Sequence, residues 1–382
     1  MFAFSVRMTA VLFCMGCASA CAAEPIVKQQ WGTIGFVSAR DGYLAWSESK
    51  LDERTRDYRA QSFFHRAYRL KLDGKANPEM LTESKPTTGH YQLMLGQAGW
   101  AIWTRVNGGA ATIFLTRRDA DQKPATLSLN ARIEEVGEFT AAGVLASVSQ
   151  GVGYGKSLNF IPLVGERVDE ASMHQLHEFP NTLRLPADAW LGPHHLLHRP
   201  RNAETYRLNL HSLAALQDKP LWTWQPKDKD DHLLPLGLSD KYVYGFYRNT
   251  LSRLAMETGK QQTVTLPGTV IDTTGNGSPG PRTNGYRLSD RTFWSGTRGF
   301  LILAEPKKPE AIATITNLFY IDVETLKLYP IELPQLPATE PQDVALAADP
   351  HTGAVYFTRD NAIHTRSPAK APRPWPNPQW QP

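Results

Sequence analysis

One short phrase recurs along this 382-residue chain and restricts what it can fold into. Tyr68-Arg69-Leu70-Lys71-Leu72-Asp73-Gly74-Lys75 alternates apolar and polar residues and then runs into a turn. Variants of it are Tyr206-Arg207-Leu208-Asn209-Leu210-His211-Ser212, Ser252-Arg253-Leu254-Ala255-Met256-Glu257-Thr258-Gly259-Lys260 and Phe319-Tyr320-Ile321-Asp322-Val323-Glu324-Thr325-Leu326-Lys327. Aligned on Leu70, Leu208, Leu254 and Ile321, the second and third copies stand 46 residues apart, and the first and second stand three such steps apart. Weaker copies fill the series: Leu115 follows Leu70 by 45, Ile161 follows Leu115 by 46, and Ile363 follows Ile321 by 42. The step from Leu254 to Ile321 is irregular, at 67.

Each copy has an apolar run upstream: Tyr43-Leu44-Ala45-Trp46, Trp100-Ala101-Ile102-Trp103, Val144-Leu145-Ala146, Phe300-Leu301-Ile302-Leu303 and Val355-Tyr356-Phe357. A strand without a polar face is buried on both sides. The repeated strand alternates instead, with Leu70 and Leu72 on one face and Arg69 and Lys71 on the other. This predicts inner strands wedged between neighbouring sheets, each followed by a strand nearer the rim. A period of about 40–50 residues with several strands per unit is the signature of β-propeller blades. The expectation is an all-β fold: a seven-bladed β-propeller of four-stranded blades, spanning residues 24–366 as one domain. The last blade has strands near 344–347, 355–358 and 363–365 and then a Pro-rich tail, 367–382, which cannot pair as an inner strand. Residues 26–30 are therefore expected to supply its outer strand and close the ring, since an open sheet edge invites aggregation. The tail, with Trp375 and Trp380 among its prolines, favours an extended polyproline conformation and reads as a loose end or a partner-docking segment.

Residues 1–23 read as a signal peptide: Arg7 is the positive region, 8–16 the apolar core, and Ala18-Ser19-Ala20-Cys21-Ala22-Ala23 the small-residue stretch. The core is far shorter than the roughly 20 residues a membrane helix needs. All three cysteines, Cys14, Cys17 and Cys21, lie in this leader, so cleavage after Ala22 or Ala23 leaves a mature chain without thiols or disulfides. Alternatively, Ala18-Ser19-Ala20-Cys21 resembles a lipobox, with Ala where Leu is usual, and Cys21 becomes the lipidated N-terminus. The expected location is periplasmic or secreted, or lipid-anchored in the envelope under the second reading. A formal charge of +4 without a basic run gives no nucleic-acid footprint.

The sequence carries no reaction signature. His194-His195-Leu196-Leu197-His198 lacks the spacing that presents metal ligands on a helix, and in a strand His195 opposes the other two. Asp228, Asp230 and Asp231 are interleaved with Lys227 and Lys229, against a calcium loop. Gly151-Val152-Gly153-Tyr154-Gly155 has no Lys-Ser/Thr where a phosphate loop needs it, and no Gly-x-Ser-x-Gly elbow occurs. No metal and no cofactor is expected.

Three long connections stand out, at 49–66, 267–286 and 306–314; the first is dense in charge and the second is rich in Gly and Pro. On the blade assignment they gather on one face, with His65, His90, Asp231, Arg248 and Arg282 near them as candidate ligand-binding residues. The mature chain resembles β-propellers of the broad bacterial exported kind. Asp349-Pro350-His351-Thr352-Gly353-Ala354-Val355-Tyr356-Phe357 and Glu257-Thr258-Gly259-Lys260 are similar to their strand–turn phrasing. No Trp-Asp dipeptide ends a blade and the quinoprotein repeat is missing, so neither subtype is implied. The resulting expectation is a non-enzymatic scaffold that binds a protein or envelope component through the long-loop face. The alternative is a hydrolase or lyase acting on a glycan or small molecule at the channel mouth.

Overall fold

The computed structural model describes residues 25–54, 61–87, 90–95, 101–106, 112–116, 125–128, 132–140, 142–149, 156–164, 167–168, 174–179, 189–200, 206–216, 219–227, 233–247, 249–270, 282–283, 286–288, 299–304, 317–334, 345–349, 351–375 and 378–382. Their strands form seven sheets, antiparallel except for one pairing. Sheet one is Thr33–Arg40, Tyr43–Leu51, Phe63–Lys71 and Glu79–Glu83. Sheet two is His90–Leu95, Ala101–Val106, Thr112–Thr116 and Ala125–Ser128. Sheet three is Arg132–Thr140, Gly143–Ser149, Lys156–Val164 and His174–Phe179, with Arg167–Val168 on the tip of its third strand. Sheet four is Ala189–Leu191, His195–His198, Leu208–Ser212 and Trp222–Trp224. Sheet five is Leu234–Leu238, Tyr242–Tyr247, Thr250–Ala255 and Gln261–Thr265. Sheet six is Thr269–Val270, Gly299–Ala304, Asn317–Asp322 and Lys327–Ile331. Sheet seven contains Ala345–Ala348, Val355–Arg359 and Ala362–Arg366.

The repeated phrase lands on the third strand every time. Leu70, Leu115, Ile161, Leu208, Leu254, Ile321 and Ile363 occupy the third strands of sheets one to seven in order. The apolar runs upstream fall on the second strands, and in sheet one alternation sends the side chains into two different cores. Tyr43 and Ala45 meet Leu93 and Leu95 of sheet two, while Leu44 and Trp46 meet Tyr356 and Ile363 of sheet seven. Equivalent apolar layers join sheets three and four, four and five, five and six, and six and seven. First strands of neighbouring sheets also pack together, Thr33–Arg40 against both His90–Leu95 and Ala345–Ala348, which makes them the inner edges. Successive four-stranded antiparallel sheets sharing faces in this way are β-propeller architecture.

Several details differ from the sequence reading. The strands flanking 49–66 are longer than expected: Ser49 pairs with His65 and Leu51 with Phe63, so the connection shrinks to 52–62. The polar face expected on the third strand of sheet one is solvated only at its end, where Lys71 is exposed. Arg69 is buried, its guanidinium 2.8 Å from Glu79 Oε2 and 5.6 Å from the Tyr43 ring centroid. A strand between two sheets has no outer face, so its cation is enclosed with a carboxylate partner.

The 267–286 stretch is not a link between sheets five and six. Thr269–Val270 already belongs to sheet six, and the chain leaves between that sheet's first and second strands. Arg282–Thr283 and Tyr286–Leu288 then form a hairpin that adds to the inner edge of sheet seven, Tyr286–Leu288 running parallel to Ala345–Ala348. In an up-and-down sheet, connections from strand one to two and from two to three lie at opposite ends. The three long connections therefore do not all leave by one end: 52–62 and 305–316 do, and 271–298 starts from the other.

The N-terminal segment binds sheet seven. Val27 pairs with Ile363 and Lys28 with Ala362, and Ile26 N donates to Ile363 O at 2.8 Å. The tail is not loose: Arg373 bridges to Leu328 and Gln381 to Thr263, and Trp375 and Trp380 pack on the core between sheets five and six.

Candidate functional site

One end of the molecule is built around sheet one, where 52–62 emerges. Its base is closely hydrogen-bonded. The Glu48 carboxylate, wholly buried, accepts from the backbone N–H of Gln30 (2.8 Å), Trp31 (2.6 Å) and Gly32 (2.8 Å) and from Trp46 Nε1 (3.1 Å). Four donors on one buried carboxylate satisfy its lone pairs, so Glu48 positions the incoming chain. Asn361, in the turn between the second and third strands of sheet seven, does the matching work from the other side. Its Oδ1 accepts from Ile34 N at 2.8 Å, and its Nδ2 donates to Gly32 O at 3.3 Å and to Gln29. At the opposite end His351 Nε2 lies 2.8 Å from Asp41 Oδ1, joining the first turns of sheets seven and one. Between these ends, burial pushes the Tyr356 phenol up to about 12, with Asp349 adding to the shift.

Above this base the surface is mixed. Leu51 is 41% exposed at the tip of a nine-residue strand, directly across from half-buried Phe63, with exposed Lys50 beside it. The Arg66 guanidinium sits 4.2 Å from the Trp31 ring centroid, and its Nε lies 3.2 Å from Glu83 Oε1. Asp52 closes the base of the connection: its N–H donates to Ser62 O at 2.9 Å and its Oδ1 accepts from Arg54 N at 3.2 Å. On the inner edge, the register of Thr33–Arg40 shifts between Ile34 and Val37. That bulge leaves Phe36 48% exposed, its N–H donating to Ser47 Oγ at 3.1 Å. Bulges re-aim side chains in this way. Gly35, inside a strand, is the sequence signal that marked the spot.

The five candidate residues fare differently. His65 is a buried strand residue, 6% exposed. Its N–H donates to Ser84 Oγ (3.1 Å), its carbonyl accepts from Ser84 N (2.8 Å), and its ring lies 6.4 Å from that of Phe63. It faces sheet two, where His90 opens the first strand paired with Val106. The two positions thus share one end of adjacent sheets, linked by Phe63 and Thr87, which exchange backbone bonds of 2.9 and 3.1 Å. Arg282 stands on the hairpin at the inner edge of sheet seven, across from Arg287. Asp231 and Arg248 lie outside the described residues, as do Cys21 and the leader.

Of the histidines in sheet four, His198 is buried with its ring 5.6 Å from that of His211. His195 is held below the usual imidazole range by burial and by the neighbouring His194. Among the described residues no three His, Cys, Asp or Glu side chains gather to hold a metal ion. The arrangement around sheet one offers apolar, aromatic and cationic contacts above the hydrogen-bonded base. No helix among the described residues is long and apolar enough to cross a membrane.

No family model matches the chain, and no curated protein matches it. Among solved structures it is similar to the β-propeller domain of the Trilobed protease from Pyrococcus furiosus, at 9% identity and a TM-score of 0.49, covering 90% of this chain and 95% of that one. It is also similar to Pyrococcus horikoshii acylaminoacyl peptidase, at 9% identity and a TM-score of 0.47, covering 90% of this chain and 52% of that one. A third is TolB from Acinetobacter baumannii, at 13% identity and a TM-score of 0.35, covering 88% and 83%. These resemblances are distant, and the propeller architecture of this chain stands on its own sheets and the layers between them.

Proposed function

We propose that this chain is a seven-bladed propeller closed by its N-terminal strand, exported after loss of residues 1–23. It acts without catalysing a reaction, binding a protein or envelope component at the end of sheet one where 52–62 emerges. Closure is supported by the pairing of Val27 with Ile363 and by the apolar layer that Leu44, Trp46 and Leu70 share with Tyr356 and Ile363. The observation that carries the binding role is the projecting tip of sheet one. Leu51 is exposed there on a strand that a two-stranded register with Phe63–Lys71 holds in place. A rigid apolar contact costs little entropy to dock, which is what a recognition hot spot requires. Glu48 and Asp52, on either side of Leu51 in the chain, are engaged by backbone donors.

The test compares envelope fractions captured on the whole chain, on Leu51→Asp, and on a variant with 52–62 replaced by a two-residue turn. A partner retained by the whole chain and lost from both variants supports the reading. Equal capture by all three, with unchanged melting, overturns it. N-terminal mass of the exported chain distinguishes cleavage after Ala22 or Ala23 from lipidation at Cys21.

A further inference from the structure

Residues 367–382 do something the repeat does not ask for. Leaving the third strand of sheet seven, the chain runs along the outer rim backwards over sheets six and five. Ala369 N donates to Pro330 O at 2.8 Å and Arg373 N to Leu328 O at 2.7 Å, which places the segment against the outer strand of sheet six. Farther on, Gln381 and Thr263 exchange two backbone hydrogen bonds of 2.8 Å each, on the outer strand of sheet five. Both outer strands would otherwise present unpaired backbone groups.

Side chains fix the register. Trp375 and Trp380 pack against the layer of Tyr244, Leu251, Phe319 and Leu328 that joins the two sheets. The Arg253 guanidinium lies between two rings, 4.3 Å from the centroid of Tyr242 and 4.5 Å from that of Trp380. Its Nε donates to Gln262 Oε1 at 2.8 Å, so the cation is oriented from beneath. Arg373 of the segment itself covers the Phe319 ring at 5.5 Å.

This is the chemistry of a peptide in a groove. Six prolines between 368 and 382 remove N–H donors, and among the described residues the segment's backbone joins the sheets at Ala369, Arg373 and Gln381. Aromatic side chains are how Pro-rich extended segments are read elsewhere, and edge pairing is how strands are added to sheets. We infer that the outer rim of sheets five and six is a binding site for a Pro-rich, Trp-bearing extended peptide, filled here by the chain's own residues 367–382. The site lies on the rim, away from the tip of sheet one, and does not depend on the function proposed above. With few backbone bonds and two Trp anchors, the segment is held as a ligand is held, and exchanges with an equivalent peptide supplied from outside.

The experiment uses the full chain with a protease site inserted between Arg366 and Ser367, cut after folding. A fluorescein-labelled peptide of residues 367–382 is then titrated by anisotropy. Saturable binding is expected as the cut segment is displaced. Affinity should fall roughly tenfold when the peptide carries Trp380→Ala, and comparably when the protein carries Arg253→Ala, as loss of a stacked cation and its ring predicts. A cut segment that stays bound under excess labelled peptide, or a cut chain that loses its cooperative melt, makes the segment a permanent strut and overturns the inference. Binding that ignores both substitutions places the peptide elsewhere and overturns it equally.

Discussion

Glu48 shows how much one side chain can decide. Its carboxylate gathers the backbone of Gln30, Trp31 and Gly32 just where the chain passes from sheet seven to sheet one. Replacing it leaves three part-buried backbone donors and the buried Trp46 Nε1 without their acceptor, which costs more than the bonds themselves. Glu48→Ala is expected to lose about 2–4 kcal/mol in urea unfolding; Glu48→Gln, which keeps one acceptor oxygen, should lose less. In the sequence Glu48 reads as the polar end of an apolar strand. Nothing local announces that its acceptor capacity is spent on residues 16 to 18 positions earlier. His65 carries the same lesson in reverse. A histidine beside a charge-rich stretch looks accessible, but the strand pairing of Ser49 with His65 takes it between two sheets.

At the scale of elements, turns were the most legible parts. Asp41-Gly42 and Asp360-Asn361 both have positive φ, at 51° and 76° and at 49° and 53°. Two consecutive left-handed residues give the connection whose twist matches its strands, and Asp, Asn and Gly tolerate it best. Gly353, in the Asp-Pro-His-Thr-Gly phrase, is tighter still. Its φ is +74°, and a Cβ there would stand 2.6 Å from the Tyr320 ring and 2.7 Å from Pro368. Gly353→Ala combines backbone strain with a clash on both sides and is expected to destabilise by about 2–4 kcal/mol, read as a lower melting temperature with the fold retained. Strand ends were less legible. The charge-dense stretch 49–66 reads as a loop, although Leu51, Phe63 and Phe64 continue the apolar pattern; charged residues at a sheet's rim extend into water without ending the strand.

At the scale of the whole molecule, both ends of the described chain sit on sheet edges, the first on sheet seven and the last on sheets six and five. Deleting 25–32 uncovers the outer edge of sheet seven, strips Glu48 of its three backbone donors, and takes Gly32 and Gln29 from Asn361. That variant is expected to melt earlier and to aggregate in a concentration-dependent way, measured by calorimetry and size exclusion. Removing the same length from the 52–62 connection should leave melting nearly unchanged, because long surface connections contribute little to the core.

By itself the sequence determined the kind of strand each repeat supplies, because a phrase repeated near every 46 residues must meet the same packing requirement every time. Tertiary structure decided the rest. The path of 282–288 to the inner edge of sheet seven, the burial of His65 and Arg69, and the seating of Trp375 and Trp380 depend on which sheet lies opposite. Periodicity along a chain records what each strand must hide, and carries no record of the neighbour that hides it.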